Sequence, residues 1–242
     1  MWRPFLIALG LLTRIPAPWR GPPPEPRELG RSVLFYPGIG LLIGVMLVGV
    51  ARLLPASLDP GVQASLILIG WIWLTGGLHL DGLADTADGW IGGLGDRARA
   101  LAIMKDPHCG PAGVMALVLM ILLKWSVLKT LLEHHDLEPL LFAPLLGRLG
   151  IVALFLTLPY ARPGGMGAVA AAHLSRPWAI GVILSGMVWI GVTGGPILAM
   201  AAGVVWFGLR GAWNRRFGGT TGDAAGAACE LIEGVALTAG LF

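Results

Sequence analysis

Charged residues are scarce in this sequence, and cysteine is scarcer still. Asp, Glu, Lys and Arg make up 13% of its 242 residues, about half of their share in an ordinary globular domain. A soluble fold of this size would lack the polar side chains that cover a surface. Only Cys109 and Cys229 are present, one in a polar stretch and one in an apolar run, so nothing indicates a disulfide framework.

Apolar runs fill most of the chain, and 55% of the residues are hydrophobic. A membrane span needs about 20 apolar residues in a helix. Candidate spans cover approximately 33–54, 62–80, 111–132, 139–159, 178–195, 197–209 and 224–241. The sequence therefore predicts an all-α fold, a polytopic membrane bundle of about seven helices over 33–241. The fifth and sixth candidates are short, and one kinked or re-entrant unit is the alternative reading.

The first residues, 1–31, form an N-terminal segment before the bundle. We interpret them as a membrane-surface stretch followed by a proline-rich linker, so that 1–242 is a single membrane domain. An apolar run of eight residues before "PAP" also resembles a signal peptide, but crowded prolines and nearby arginines make cleavage the weaker reading.

Basic residues outside the predicted spans fall almost entirely on one side of the membrane, which places that side in the cytoplasm. The opposite side has only Arg52. The cytoplasmic set is Arg3, Arg14, Arg20, Arg27, Arg31, Arg97, Arg99, Lys105, Arg162, Arg176, Arg210, Arg215 and Arg216. Because the net charge of +3 is explained by these loops, no nucleic-acid partner is predicted.

Three aspartates follow the second predicted span in "GGLHLDGLADTADGW". At about 100° per residue, Asp81, Asp85 and Asp88 share one face if the stretch is helical. Like charges this close repel one another, and a hard cation such as Mg²⁺ removes the conflict. The alternative is a solvated polar turn. His79 points away from Asp81 and is interpreted as a helix-packing residue, because no second His or Cys stands at ligand spacing.

A second polar cluster lies in "NRRFGGTTGDAAGAACELIEG", residues 214–234. Arg215 and Arg216 are candidates for binding phosphate oxygens in forks, with membrane anchoring as the alternative. Asp223 begins the last predicted span and is either functional or only a helix N-cap. Glu230 and Glu233 lie deeper in that span, where a charge is expensive.

Arg148 lies near the middle of the fourth predicted span, in "APLLGRLG". The pattern leaves two roles open, as partner of a buried carboxylate or as ligand of an anionic substrate. Together, the carboxylates and arginines favour phosphoryl or nucleotidyl transfer at the cytoplasmic membrane face.

Several motifs, spread over nearly the whole chain, resemble those of the cobalamin synthase family, the adenosylcobinamide-GDP ribazoletransferases. They are "LTRIPAP", "FYPGIGLLIG", "GGLHLDGLADTADG", "IMKDPHCGPAG", "APLLGRLG", "LPYARPGGMG" and "RRFGGTTGDAAGAACELIE". The resemblance implies a bacterial inner-membrane enzyme that requires Mg²⁺. It would join adenosylcobinamide-GDP to α-ribazole or its 5′-phosphate and release GMP, late in the assembly of the vitamin B12 nucleotide loop.

The resemblance also implies roles for residues. Asp81, Asp85 and Asp88 match the family's aspartate motif. The other matching polar positions are Lys105, Asp106, Arg148, Arg162, Arg215, Arg216, Thr221, Asp223 and Glu230. We expect the three aspartates to bind the metal and Lys105, Asp106, Arg148, Arg162, Arg215, Arg216 and Thr221 to bind substrate. Asp223 is expected to accept the proton of the attacking hydroxyl, with Glu230 as the alternative.

Two rival functions stay open at this point. One is a Mg²⁺-dependent phosphotransferase of the CDP-alcohol type, although the D-x3-D-x2-D spacing is not that of those enzymes. The other is an ion-coupled transporter that relays cations through Asp81, Asp85 and Glu230; such proteins carry acidic groups near the midplane and broken helices in paired halves. The expected partners are these small substrates and membrane lipid, and an oligomer is left open.

Overall fold

The computed structural model describes residues 2–18 and 22–242, so Arg20 of the basic set lies outside the described residues. Within this part the secondary structure is helical apart from one isolated bridge between Tyr160 and Thr220. The helices are α1 (Trp2–Leu12), α2 (Pro26–Ser32), α3 (Tyr36–Leu53), α4 (Pro60–Thr75), α5 (Leu78–Gly92), α6 (Arg97–Ile103), α7 (Pro111–Glu133), α8 (Glu138–Thr157), α9 (Met166–Ala172), α10 (Arg176–Thr193), α11 (Pro196–Phe217) and α12 (Gly222–Ala239).

Five helical segments are long and apolar enough to cross a membrane, and α4 with α5 makes a sixth if the pair is one broken span. The five are Pro26–Leu53, α7, α8, α10 and α11. This confirms the predicted all-α polytopic bundle. The last predicted span, 224–241, forms helix α12, which is not one of these segments. It carries three acidic residues, and most of its residues are buried inside the bundle.

The second predicted span, 62–80, was wrong at its C-terminal end. Helix α4 stops at Thr75, and α5 starts at Leu78 after a bend of 86°. Gly76 and Gly77 cause the break, since both adopt left-handed backbone conformations with φ of 64° and 68°. Glycine enters this region without steric cost. The aspartates therefore lie on a separate helix instead of extending the second span.

The fifth and sixth candidate spans are two separate helices, α10 and α11, joined at Gly194 and Gly195. Each is long enough to cross a membrane. Helix α11 continues to Phe217, eight residues beyond the predicted end at 209. Of the residues between the predicted spans 197–209 and 224–241, only the short turn between α11 and α12 is not helical.

Close packing between α3 and α8 depends on glycine. A Cβ atom at Gly40 would lie 2.4 Å from the carbonyl oxygen of Pro144, and one at Gly44 would lie 2.2 Å from that of Leu141. Small residues let helix backbones approach in a membrane, where dispersion contacts drive much of the association. Gly49, on the same helix, has open space in that direction.

This packing predicts that Gly44→Ala destabilises the protein and Gly49→Ala does not. The clash at Gly44 with backbone atoms should cost about 1–3 kcal/mol, whereas an unhindered position should change stability by less than about 0.5 kcal/mol. Thermal unfolding of both purified variants in the same detergent measures the difference in Tm. Equal Tm values for the two variants would contradict the packing.

Candidate active site

The three aspartates of α5 lie on one continuous helix, as the spacing predicted. Asp81 is exposed, while Asp85 and Asp88 are half-buried. Asp85 experiences repulsion from the charges of Asp81 and Asp88, and from Asp223 on α12. The structure therefore gathers four carboxylates at one site.

Asp88 differs from the other two because it caps the start of α7. Its carboxylate oxygens accept hydrogen bonds from the backbone N–H groups of Gly110 at 2.7 Å and Gly113 at 2.9 Å. A Cβ atom at either glycine would lie 2.5 Å from this carboxylate. Asp88 thus ties α5 to α7, and only its remaining lone pairs are available to a ligand.

The side chains of Asp81 and Asp85 have no hydrogen bond or ion pair within residues 2–18 and 22–242. Two unpaired carboxylates one helical turn apart, without a matched set of His or Cys ligands, are suited to a hard cation that also keeps waters and substrate oxygens. These residues fit Mg²⁺. Asp81 and Asp85 would hold it, with Asp88 adding a further oxygen.

Asp223 reaches this site because α5 and α12 cross closely. A Cβ atom at Gly82 would lie 2.7 Å from the carbonyl oxygen of Asp223. The carboxylate of Asp223 pairs with Arg162. The N-cap of α12 is Thr221, whose hydroxyl accepts a hydrogen bond from the backbone N–H of Ala224 at 3.0 Å. Asp223 is therefore not the N-cap. Thr221, which we expected to bind substrate, has a structural role as the N-cap of α12.

The loop that carries Arg162 is held beside the start of α12 by two backbone hydrogen bonds. The N–H of Ala161 donates to the carbonyl of Thr220 at 2.7 Å, and the N–H of Thr220 donates to that of Pro159 at 2.9 Å. Burial raises the pKa of the Tyr160 hydroxyl in the same loop.

Two cavities meet at Asp81. One has a volume of about 490 Å³ and includes Asp223 and Tyr160 in its lining, and the other, of about 580 Å³, includes Thr13 and Arg14. Tyr160 and Arg14 were missed as candidates from the sequence. Tyr160 lies in the motif "LPYARPGGMG" and Arg14 in the motif "LTRIPAP". Their place in these motifs was the feature of the sequence that could have identified them.

A separate ionic cluster lies in the bundle interior. Lys124 of α7 contacts Glu230 at 2.7 Å and Glu233 at 2.5 Å, and Arg148 of α8 pairs with Glu233. The ammonium group of Lys124 also lies 4.3 Å from the ring centroid of Trp71. Two cations and two carboxylates thus compensate one another where water is excluded.

This cluster bears on the two roles predicted for Arg148. The structure shows the pairing with a buried carboxylate and a fully buried side chain; substrate binding by Arg148 stays a prediction. Glu230 lies about 10 Å along α12 from Asp223, given a rise of about 1.5 Å per residue. It is 6% exposed and lines neither of the two cavities at Asp81, which disfavours it as a base.

His79 is buried against α12, as its interpretation as a packing residue implied, with its Cα 3.3 Å from the position of a Cβ atom on Gly226. One ligand atom each of His79, Cys229 and Glu233 lie within 4.8 Å of one another. Because Glu233 already compensates Lys124 and Arg148, a bound cation would have to displace these partners. We assign no metal to this group.

Arg215 and Arg216 occupy the last turn of α11. Arg216 donates to the backbone carbonyl of Trp90 and lies 5.4 Å from its ring centroid. Arg215 is exposed. The α5 helix is therefore fastened to α11 at its C-terminal end through Arg216.

Lys105 and Asp106 are exposed in the loop between α6 and α7. The backbone N–H of His108 donates to the Asp106 carboxylate at 3.0 Å, and the His108 ring lies 2.6 Å from the same oxygen. The hydrogen bond from the backbone is the main reason that the pKa of Asp106 is lowered. Asp106 thus shapes its own loop, and the described contacts do not join it to the α5 carboxylates.

Sequence comparison places this chain in a known family. The family model described as cobalamin-5-phosphate synthase matches residues 4–241. The chain belongs to the cobalamin-5-phosphate synthase family. No solved structure matches it.

Close relatives are named adenosylcobinamide-GDP ribazoletransferase. The relative from Stutzerimonas stutzeri is 50% identical over 235 residues, covering 95% of this chain and 94% of its own length. The one from Pseudomonas aeruginosa (strain ATCC 15692) is 49% identical over 241 residues, covering 98% and 97%. The family and these names confirm the resemblance seen in the motifs, and with it a transferase.

The ionic cluster predicts that Lys124→Met is strongly destabilising. Removing one partner of a buried ion pair costs about 3–5 kcal/mol, because a charge is left uncompensated. Lys129→Met, on the same helix, is the control, since Lys129 and Glu133 form a half-exposed pair at 3.6 Å. Urea or thermal unfolding in detergent compares the two variants.

Adding Glu230→Gln to Lys124→Met should recover much of the lost stability, because the pair of Arg148 and Glu233 then remains neutral. If the double variant is no more stable than Lys124→Met, the loss comes from packing and not from charge.

Proposed function

We propose that this chain transfers the phosphocobinamide group of adenosylcobinamide-GDP to α-ribazole or its 5′-phosphate, with Mg²⁺ as cofactor. A ribose hydroxyl attacks the phosphorus that stays with cobinamide. The anhydride bond to the second phosphorus breaks, and GMP leaves. The observation that carries this proposal is the pair of unpaired aspartates, Asp81 and Asp85, at the junction of two cavities in a chain of this family.

The three aspartates of α5 have different proposed roles. Asp81 and Asp85 would hold Mg²⁺, which supplies neutralisation of the charge on the diphosphate. Asp88 is partly committed to the start of α7 and would orient α5. Helix α5, which carries the aspartates, is therefore held against α7 and α12 before substrate binds.

Asp223 is the proposed proton acceptor for the ribose hydroxyl. It lines the 490 Å³ cavity together with Asp81, and it has no place in the buried ionic cluster. Its partner Arg162 holds the carboxylate in position and has a Nε atom without a hydrogen-bond partner. That guanidinium is suited to an approaching phosphate oxygen.

The active site faces the cytoplasm in this proposal, within a bacterial inner membrane. Support comes from the basic residues of the loops, which follow the positive-inside rule when the N-terminus is cytoplasmic. Adenosylcobinamide-GDP and α-ribazole would then reach the site from the same compartment as Mg²⁺.

Product analysis tests the function. Purified protein in nanodiscs should release GMP from adenosylcobinamide-GDP only when α-ribazole or its 5′-phosphate and Mg²⁺ are present. Asp223→Asn should lower kcat by about 10²–10⁴-fold, the usual effect of losing a general base, with nearly unchanged Mg²⁺ dependence. Asp96→Asn is the control, because Asp96 only caps α6 and asparagine caps equally well.

Release of CMP from a CDP-alcohol would favour the rival phosphotransferase, and ion flux without either product would favour the transporter. If Asp223→Asn instead reaches near-normal kcat at much higher Mg²⁺, Asp223 is a metal ligand and another group accepts the proton.

A further inference from the structure

The 490 Å³ cavity has an apolar body and an acidic end. Its body is lined by Leu11 of α1, Phe155 of α8 and Met166 and Ala170 of α9, among others. Its acidic end contains Asp81 and Asp223. This volume is within the range of pockets that bind small molecules, which are mostly apolar with a few placed polar groups.

We propose that this cavity receives α-ribazole, the acceptor, with its dimethylbenzimidazole base in the apolar body. This inference rests on the proposed function and names the subsite for one of its two substrates. The base is flat, uncharged and apolar, whereas its ribose is polar. Seating the base against α1, α8 and α9 directs the ribose towards Asp81 and Asp223, where the hydroxyl has to lose its proton.

Aromatic side chains suit the cavity to a flat ring. Phe155 and Tyr160 stand edge to face, with ring centroids 6.0 Å apart and an interplanar angle of 67°. The Tyr160 hydroxyl accepts a hydrogen bond from the backbone of Gly222, which orients the ring beside Asp223. Aromatic groups prefer such edge or offset contacts with another ring.

The neighbouring 580 Å³ cavity suits the donor better. It shares Gly10, Leu11, Leu78 and Asp81 with the first cavity. Only this second cavity includes the cationic Arg14. The guanidinium of Arg14 covers Gly76, since a Cβ atom at Gly76 would lie 2.1 Å from its Nε atom. An anionic diphosphate is attracted to Arg14, so donor and acceptor would occupy adjoining cavities that both reach Asp81.

Steady-state kinetics with each substrate varied in turn test the assignment. Met166 lies on the cavity lining and is 62% exposed, so Met166→Trp should fold and fill part of the cavity. We expect the KM for α-ribazole to rise about tenfold, equivalent to about 1.4 kcal/mol, with the KM for adenosylcobinamide-GDP within about twofold. Ala172→Trp is the control, because Ala172 is exposed on the same helix and lines a different cavity.

A second readout uses the wild-type protein and leaves folding untouched. The analogue of α-ribazole that lacks the two methyl groups of the base should have a KM about tenfold higher than that of α-ribazole, because each buried methyl group adds apolar contact. Equal KM values for the two acceptors, or a higher KM for the donor in Met166→Trp, would overturn the assignment of this cavity. If GMP is still released in these experiments, the proposed function stands. Absence of GMP release with every acceptor would overturn both.

Discussion

Charge compensation inside the bundle is the constraint on which the rest of the structure depends. Lys124, Arg148, Glu230 and Glu233 are all buried, and each would be costly there without its partners. Their contacts join α7 and α8 to α12. Because α12 is held from two sides, its N-terminal end is fixed against α5, which brings Asp223 to the aspartates.

The acidic residues thus separate into two groups with opposite electrostatics. Glu230 and Glu233 are neutralised by basic side chains and stabilise the helix arrangement. Asp81 and Asp85 are left without a partner among the described residues, at the junction of two cavities. Uncompensated carboxylates repel each other, and a bound cation would relieve that repulsion. This difference distinguishes the site from the scaffold.

Helix positions and the shared face of the aspartates could be predicted from the sequence, because hydrophobic runs and the 3.6-residue period are local properties. The 86° bend at Gly76 and Gly77 could not, since consecutive glycines also occur inside membrane helices. Pairings across the bundle were inaccessible for another reason. Arg148 contacts Glu233, which is 85 positions away in the sequence. Arg216 contacts Trp90, which is 126 positions away. Both contacts depend on how distant helices pack together.

In the proposed mechanism, Asp81 and Asp85 hold the divalent cation that the diphosphate also contacts. This can be tested by electron paramagnetic resonance of Mn²⁺ bound to the purified protein together with an unreactive analogue of adenosylcobinamide-GDP. We expect coupling of Mn²⁺ to phosphorus and at least tenfold weaker Mn²⁺ binding in both Asp81→Asn and Asp85→Asn, about 1.4 kcal/mol or more, with Asp96→Asn unaffected. Unchanged Mn²⁺ affinity in both aspartate variants, or bound Mn²⁺ without phosphorus coupling, would contradict it.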